Sequence, residues 1–365
     1  MKVSAKKSFS NGVILNNQEI EIADNKIISI KEISQHSTFD FECVSPGLVD
    51  LHINGGEEFH FTNKPTEETI HDIETAALKN GVTHTLPTLI TSSFENINTG
   101  ISAIKSYLKQ NTNSGVLGMH LEGPFLNPVK RGAHLEKYLQ KPSLNNLQNI
   151  LKAAEDYIKI ITIDPELFND ECLELLLNSN IQISAGHSNA TFEEADRAFK
   201  KGIKLVTHLF NAMSAFGHRE PGLVGATFLN PQVFAPIILD GVHVSYNSAK
   251  VALNEKREGL FLISDALFQN YKKKEFKWEE FDAVLKDNAY TNSEGNLAGA
   301  AISMKDAVKN AIKFLNIPLE LALKMSTSTP ASLIKSNRKF GKIELGYEAK
   351  LISFEGVFEK VNVII

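Results

Sequence analysis

Five residues carry the chemistry this sequence offers: His52, Glu122, His187, His208 and Asp265. Each sits in a short motif of its own: Asp50-Leu51-His52-Ile53-Asn54-Gly55-Gly56, His120-Leu121-Glu122-Gly123-Pro124, Ala185-Gly186-His187-Ser188-Asn189, Thr207-His208-Leu209-Phe210-Asn211 and Ile263-Ser264-Asp265-Ala266. Imidazole and carboxylate together suit Zn2+ or Fe2+, and three protein ligands with one position left for water is the usual construction of a catalytic centre. Glu122, His187 and His208 would make such a trio. Asp265 would have a different task, because a carboxylate beside an activated water can take its proton during attack and return it to the leaving group. Taken singly, each histidine reads as well as a buried residue bonded to a backbone carbonyl. Five together resist that reading, since clustered buried ionisable groups without a ligand are costly. No Ser-His-Asp order, Gly-x-Ser-x-Gly elbow or P-loop competes for the chemistry.

A second constellation runs from Asn211-Ala212-Met213 to Gly217-His218-Arg219-Glu220-Pro221-Gly222. An arginine and free amides in a loop punctuated by glycine and proline would suit a phosphate monoester, which guanidinium binds bidentately. Alone, Arg219 serves equally well as a structural ion-pair partner. Lys130-Arg131-Gly132-Ala133-His134 is another basic loop, with the same two readings.

The elements that must position these residues are apolar strand-like runs at 44–52, 82–88, 116–122, 158–164, 180–187, 204–210, 234–240 and 259–265, alternating with helical spacing at 67–80, 145–157, 192–201 and 303–314. Such alternation predicts parallel βαβ units, and eight strands predict a closed α/β barrel whose active site lies at the C-terminal strand ends, where all five residues fall. Thr191 with Glu194 predicts a capping box. The segment 271–280, with three consecutive lysines and the only tryptophan, reads as an irregular insertion, either a lid or a solvated loop. Short β-like runs at both ends, among them Gly12-Val13-Ile14-Leu15 and Gly341-Lys342-Ile343-Glu344-Leu345-Gly346, predict a minor domain built from residues 1–45 and 336–365, with 46–335 as the barrel.

Composition narrows the partners. With 38 Lys plus Arg against 43 Asp plus Glu, a formal charge of −5 leaves no basic face for nucleic acid. No stretch of about 18 apolar residues signals a membrane span, and no apolar run succeeds the N-terminal lysines. Cys43 and Cys172, the only cysteines, argue against a disulfide scaffold and for a reducing cytoplasm.

The motifs, with Pro46-Gly47-Leu48-Val49-Asp50 and Asp240-Gly241-Val242-His243 added, resemble the N-acetylglucosamine-6-phosphate deacetylases of the amidohydrolase superfamily across nearly the whole chain. The resemblance implies a TIM-like (β/α)8 barrel with a small β-sandwich formed by both termini, and hydrolysis of the N-acetyl amide of a phosphorylated amino sugar in amino-sugar catabolism and recycling. It assigns Glu122, His187 and His208 to a divalent metal, Zn2+ or Fe2+, and Asp265 to acid–base catalysis. His134, Asn211, Ala212, Arg219 and His243 become substrate contacts, with the arginine loop reaching a neighbouring subunit's site and so implying a homodimer. Two-metal members carry His-x-His at the end of strand one and others Gln-x-Asn with one metal. Here the motif is His52-Ile53-Asn54, so one tight ion is expected, with at most a weak second on His52 and Asp265. Ile163-Asp164-Pro165-Glu166 supplies no strand-four lysine to bridge two metals. The rival readings are an N-acetylgalactosamine-6-phosphate deacetylase, a cyclic amidase or deaminase of the same superfamily, and a catalytically inactive amidohydrolase-like binding protein.

Overall fold

A computed structural model describes residues 1–364. The chain opens with four strands, β1 (Lys2–Ser10), β2 (Val13–Ala23), β3 (Lys26–Glu32) and β4 (Phe41–Pro46). β1, β2 and β3 are joined by two-residue turns, Asn11-Gly12 and Asp24-Asn25, whose four residues all have positive φ. That is the backbone whose twist matches a tight hairpin.

The apolar run expected as one strand at 44–52 is two. Gly47 breaks it, because a Cβ there would stand 2.0 Å from Thr83 Oγ1. Residues before the break belong to the terminal sheet, and those from Leu48 onward begin the parallel one. Six strands form that sheet in sequence order: β5 (Leu48–Ile53), β6 (Val82–Ile90), β7 (Met119–Glu122), β8 (Ile158–Ile163), β9 (Gln182–Ala185) and β10 (Leu205–Val206). β11 (Ala235–Ile238) and β12 (Leu260–Ile263) pair in parallel beside it. One seam is crossed by Val206 N to Phe234 O (3.0 Å), the other by Asp265 N to His52 O (2.9 Å) and Asn54 N to Ala266 O (2.9 Å). The result is an α/β fold with a strongly curled parallel sheet. Most of its strands are buried at every position, which is why they read as continuous apolar runs. Helices lie between the strands, and Thr66, Ser93, Ser143, Asn169, Thr191 and Ser245 each cap one by accepting a backbone N–H. Thr191 and Glu194 complete the capping box.

After β12 the chain departs from expectation. Residues 271–280 are no irregular insertion: they lead into β13 (Glu275–Trp278), the first strand of an antiparallel sheet completed by β14 (Phe281–Lys286), β15 (Ala289–Thr291) and β16 (Leu297–Ala300). Leu267, Phe268, Phe281 and Tyr290 form its own apolar core with Ile90 and Leu135.

β17 (Leu351–Glu355) and β18 (Lys360–Val363) return to the N-terminal strands in a six-stranded sheet of order β18-β17-β4-β1-β2-β3. The two ends therefore pair, but as one sheet rather than the two layers of a sandwich. The stretch expected as a strand at 341–346 is a coil with Gly341 and Gly346 at φ of 80°, held by Gly346 N to Ile27 O (2.8 Å). It curls over the sheet and lays Ile343, with Ala349, against Val3, Ala5, Ile20 and Leu351, on the face a second sheet would have covered. Phe9, Phe354 and Phe358 belong to the main apolar core. Among the described residues no helix is long and apolar enough to cross a membrane.

Candidate active site

Strand ends bring five side chains to one floor. Glu122 closes β7, while His187 and His208 stand two residues beyond β9 and β10. His52 lies in β5, and Asp265 stands two residues beyond β12. His187, His208 and Asp265 have φ of 47°, 32° and 47°, left-handed values that cost energy without glycine and are concentrated at working sites. The turn of the backbone at these positions lifts the side chains off the strands and toward one another.

Glu122 Oε1 stands 3.1 Å from His187 Nε2 and 3.0 Å from His208 Nε2, and the two nitrogens are 3.2 Å apart. His52 Nε2 completes the ring, 3.3 Å from Glu122 Oε2 and 3.2 Å from Asp265 Oδ1. His187 Nδ1 is 2.9 Å from the carbonyl oxygen of Lys130. A carbonyl only accepts, so Nδ1 carries the proton and Nε2 turns a lone pair to the centre, the tautomer a metal ligand needs. Three buried donor atoms of N, N and O type converging in this way fit a divalent cation, and among the described residues this trio is a group that could hold one.

Electrostatics point the same way. Burial works against a charge on Glu122, yet the positive charge of His52 leads the groups that outweigh it and hold the carboxyl well below the usual range. Burial also opposes protonation of His52, but Asp265 and Glu122 raise its pKa to about 9. The floor thus draws positive charge. His134 is held neutral, its pKa pushed down to about 3 by burial and by His187, with Nδ1 2.9 Å from Thr91 Oγ1.

Above this floor lies a cavity of about 420 Å3, lined by His134, Asn211, Ala212 and His243 as well as by Glu122, His187, His208 and Asp265. Arg219 is absent from its walls. It lies exposed on the loop before the helix Gly222–Leu229, near exposed Phe216, with no hydrogen bond or ion pair among the described residues. Several contributors escape a reading of the sequence alone. Asn54, which the motif shows only as a departure from His-x-His, donates Nδ2 to Asp265 Oδ1 at 2.8 Å. Asp240 accepts from the backbone of Val242 and His243 and stands 2.6 Å from His243 Nδ1, so the motif 240–243 is a self-holding turn. Phe281, Leu297 and Ala298, from the antiparallel sheet, form a wall of the cavity that no motif announces.

A model of the Amidohydrolase family matches residues 43–365. An N-acetylglucosamine-6-phosphate deacetylase of Haemophilus influenzae is 33% identical over 328 residues, 88% of this chain and 85% of that protein. An N-acetylgalactosamine-6-phosphate deacetylase of a Shewanella species is 34% identical over 354 residues, 94% and 89% of the two chains. The crystal structure of N-acetylglucosamine-6-phosphate deacetylase from Pasteurella multocida superposes with a TM-score of 0.90 at 30% identity, covering 100% of this chain and 97% of that one.

Proposed function

The chain belongs to the amidohydrolase family, and from that premise we propose that it hydrolyses the N-acetyl amide of N-acetylglucosamine 6-phosphate to glucosamine 6-phosphate and acetate. One observation carries the reading: the buried convergence of Glu122, His187 and His208, with Asp265 beside it, at the bottom of a cavity large enough for a sugar phosphate.

Glu122, His187 and His208 would hold one Zn2+ or Fe2+, which when bound supplies Lewis acidity toward the amide carbonyl and the attacking water. Asp265 is the acid–base residue. Its carboxylate takes a proton from the water as the oxygen adds to the acetyl carbon, then passes it to the amide nitrogen as the C–N bond breaks, so that the free amine leaves with acetic acid, which gives up its remaining proton to solvent as acetate. Asn54 holds Oδ1 of that carboxylate. Asn54 also occupies the place of the second imidazole of a two-metal site. His52 and Asp265 are therefore left as at most a weak second position. His134, Asn211, Ala212 and His243 orient the sugar phosphate, and Arg219 completes its anion site from a neighbouring subunit, which makes the working unit a homodimer.

We read the two seams of the curled sheet as closing a TIM-like (β/α)8 barrel formed by residues 46–335, with 1–45 and 336–365 as the accessory unit. The free, buried state of Cys43 and Cys172 supports placing the reaction in the cytoplasm. The 4-epimer is the second reading, supported by the similarity to an enzyme named for N-acetylgalactosamine 6-phosphate. Acetate release from the two sugars by metal-loaded protein tests both. The expected result is a higher kcat/KM on the gluco sugar. A preference for the galacto sugar selects the second reading, and acetate from neither overturns the deacetylase assignment.

A further inference from the structure

Asp265 and His52 must face each other across the seam between β12 and β5, and no strand ladder spans it: β5 pairs with β6, β12 with β11, and a single bridge joins Ile53 to Ala266. Beside the backbone bonds from Asp265 N to His52 O and from Asn54 N to Ala266 O, the seam is crossed by a set of hydrogen bonds centred on Asp50, a residue with no exposed surface. Its carboxylate accepts from Ser264 Oγ at 2.5 Å, Ser264 N at 3.2 Å and His52 N at 3.2 Å. Ser264 Oγ has one proton, committed to Asp50, and a lone pair that accepts from Ala266 N at 3.2 Å. The residues on either side of Asp265 are therefore both tied to one hydroxyl, and that hydroxyl is tied to the first strand.

Asp265 itself sits at φ of 47°, a conformation that persists in a non-glycine residue only where the surroundings impose it. A fully buried carboxylate is a costly way to fasten two strands, and burial pulls the Asp50 pKa up to about 6 against the pull of its donors. An apolar pair would close the same seam with no such cost, but it would leave the N–H groups of Ser264 and His52 without their acceptor on the first strand. The donors that Asp50 holds belong to Ser264, the neighbour of Asp265, and to His52, the residue facing it.

We infer that Asp50 and Ser264 are positioning residues for Asp265: they hold its carboxylate at the cavity floor without touching substrate. This rests on the assignment of acid–base catalysis to Asp265.

The test is a cycle in which Ser264→Ala is introduced into the wild type and into Asp265→Asn, with kcat and KM measured on metal-loaded protein. In the wild type, Ser264→Ala is expected to lower kcat roughly 10-fold while KM stays within about 2-fold, the signature of a misplaced reacting group. In Asp265→Asn it is expected to change residual turnover by less than about 2-fold, because the group it positions is already gone. Ser264→Thr, which keeps the hydroxyl, should recover most of the loss. An equal loss in both backgrounds, or none in the wild type, overturns the inference. Should Ser264→Ala fail to fold, Asp50→Asn enters the same cycle under the same criteria. If Asp265→Asn alone retains wild-type turnover, the acid–base assignment is what fails.

Discussion

The strand-end floor and the loop at 211–222 draw on similar side chains, a few imidazoles, amides and charges, yet the chain deploys them in opposite ways. On the floor, Glu122, His187 and His208 are buried and bonded to one another, and even the backbone strain at His187 and His208 serves their convergence. On the loop, Phe216 is 62% exposed and Arg219 reaches no partner among the described residues. The part that would cut an amide is complete within one chain. The part expected to bind phosphate faces outward, with Arg219 and Phe216 both exposed on one loop. Finishing the bond-breaking chemistry locally and leaving anion recognition to a neighbour would make activity on phosphorylated substrate depend on assembly.

The largest effect belongs to the floor. His187→Ala should lose the bound cation and, with it, essentially all turnover. Elemental analysis showing full occupancy in that variant would remove His187 from the site. Asp265→Asn should keep metal and fold but lower kcat by a factor on the order of 10²–10⁴, the usual worth of a positioned acid–base group. Turnover close to wild type would transfer the proton chemistry to another residue of the cavity wall, such as His134 or His243.

Arg219→Ala comes next, and it decides whether floor and loop divide the work at all. Losing a charge-assisted pair costs roughly 1.5–3 kcal/mol, or about 10- to 150-fold in kcat/KM. The loss should appear on N-acetylglucosamine 6-phosphate and barely on the unphosphorylated sugar. If the loop serves a neighbour's site, mixing Arg219→Ala with Asp265→Asn protein should restore activity after subunit exchange, since one site of each mixed dimer then has both residues. Equal losses on both sugars would make Arg219 structural and leave the loop without a role in phosphate binding.

The smallest effect lies at the far end of the molecule. His84 at the start of β6 is buried, stacked on Phe340, and stands 3.2 Å from Glu348 Oε2. Burial lowers its pKa to about 4, below the roughly 6.5 of an unfolded histidine. The unfolded chain therefore binds the extra proton first, and stability present above pH ~6.5 is lost as pH falls through 4, by roughly 3 kcal/mol. His84→Gln, which cannot titrate, should flatten the dependence of Tm on pH across that window. An unchanged slope would assign the acid sensitivity to other groups.

The same division between floor and surface separates the features legible in the sequence from those that are not. Parallel strands buried on both faces appear as apolar runs, and their ends carry the candidate ligand residues, so the alternation and the five floor residues are visible in order. The break at Gly47 is not, because nothing local marks a glycine required by Thr83 across the sheet. Strands β13 to β16 escape notice since Glu275, Lys277 and Asp282 make them look solvated, while their buried partners Phe281 and Tyr290 are spread along the chain. The stretch 341–346 has the apolar spacing of a strand, but its flanking glycines turn it into a cover for one. Arg219 is legible as a residue and illegible as a direction: only the fold reveals that it lies outside the cavity of its own chain.

A single cation held by the floor is the centre of the proposed chemistry. The most direct measurement strips the protein with a chelator, confirms the apo state by elemental analysis, and follows acetate release from N-acetylglucosamine 6-phosphate while Zn2+ or Fe2+ is added back. Turnover should be absent at the start, rise in proportion to added metal, and level off near one equivalent per chain. Full turnover in the stripped protein, or a plateau reached only at two tightly bound equivalents, would contradict it.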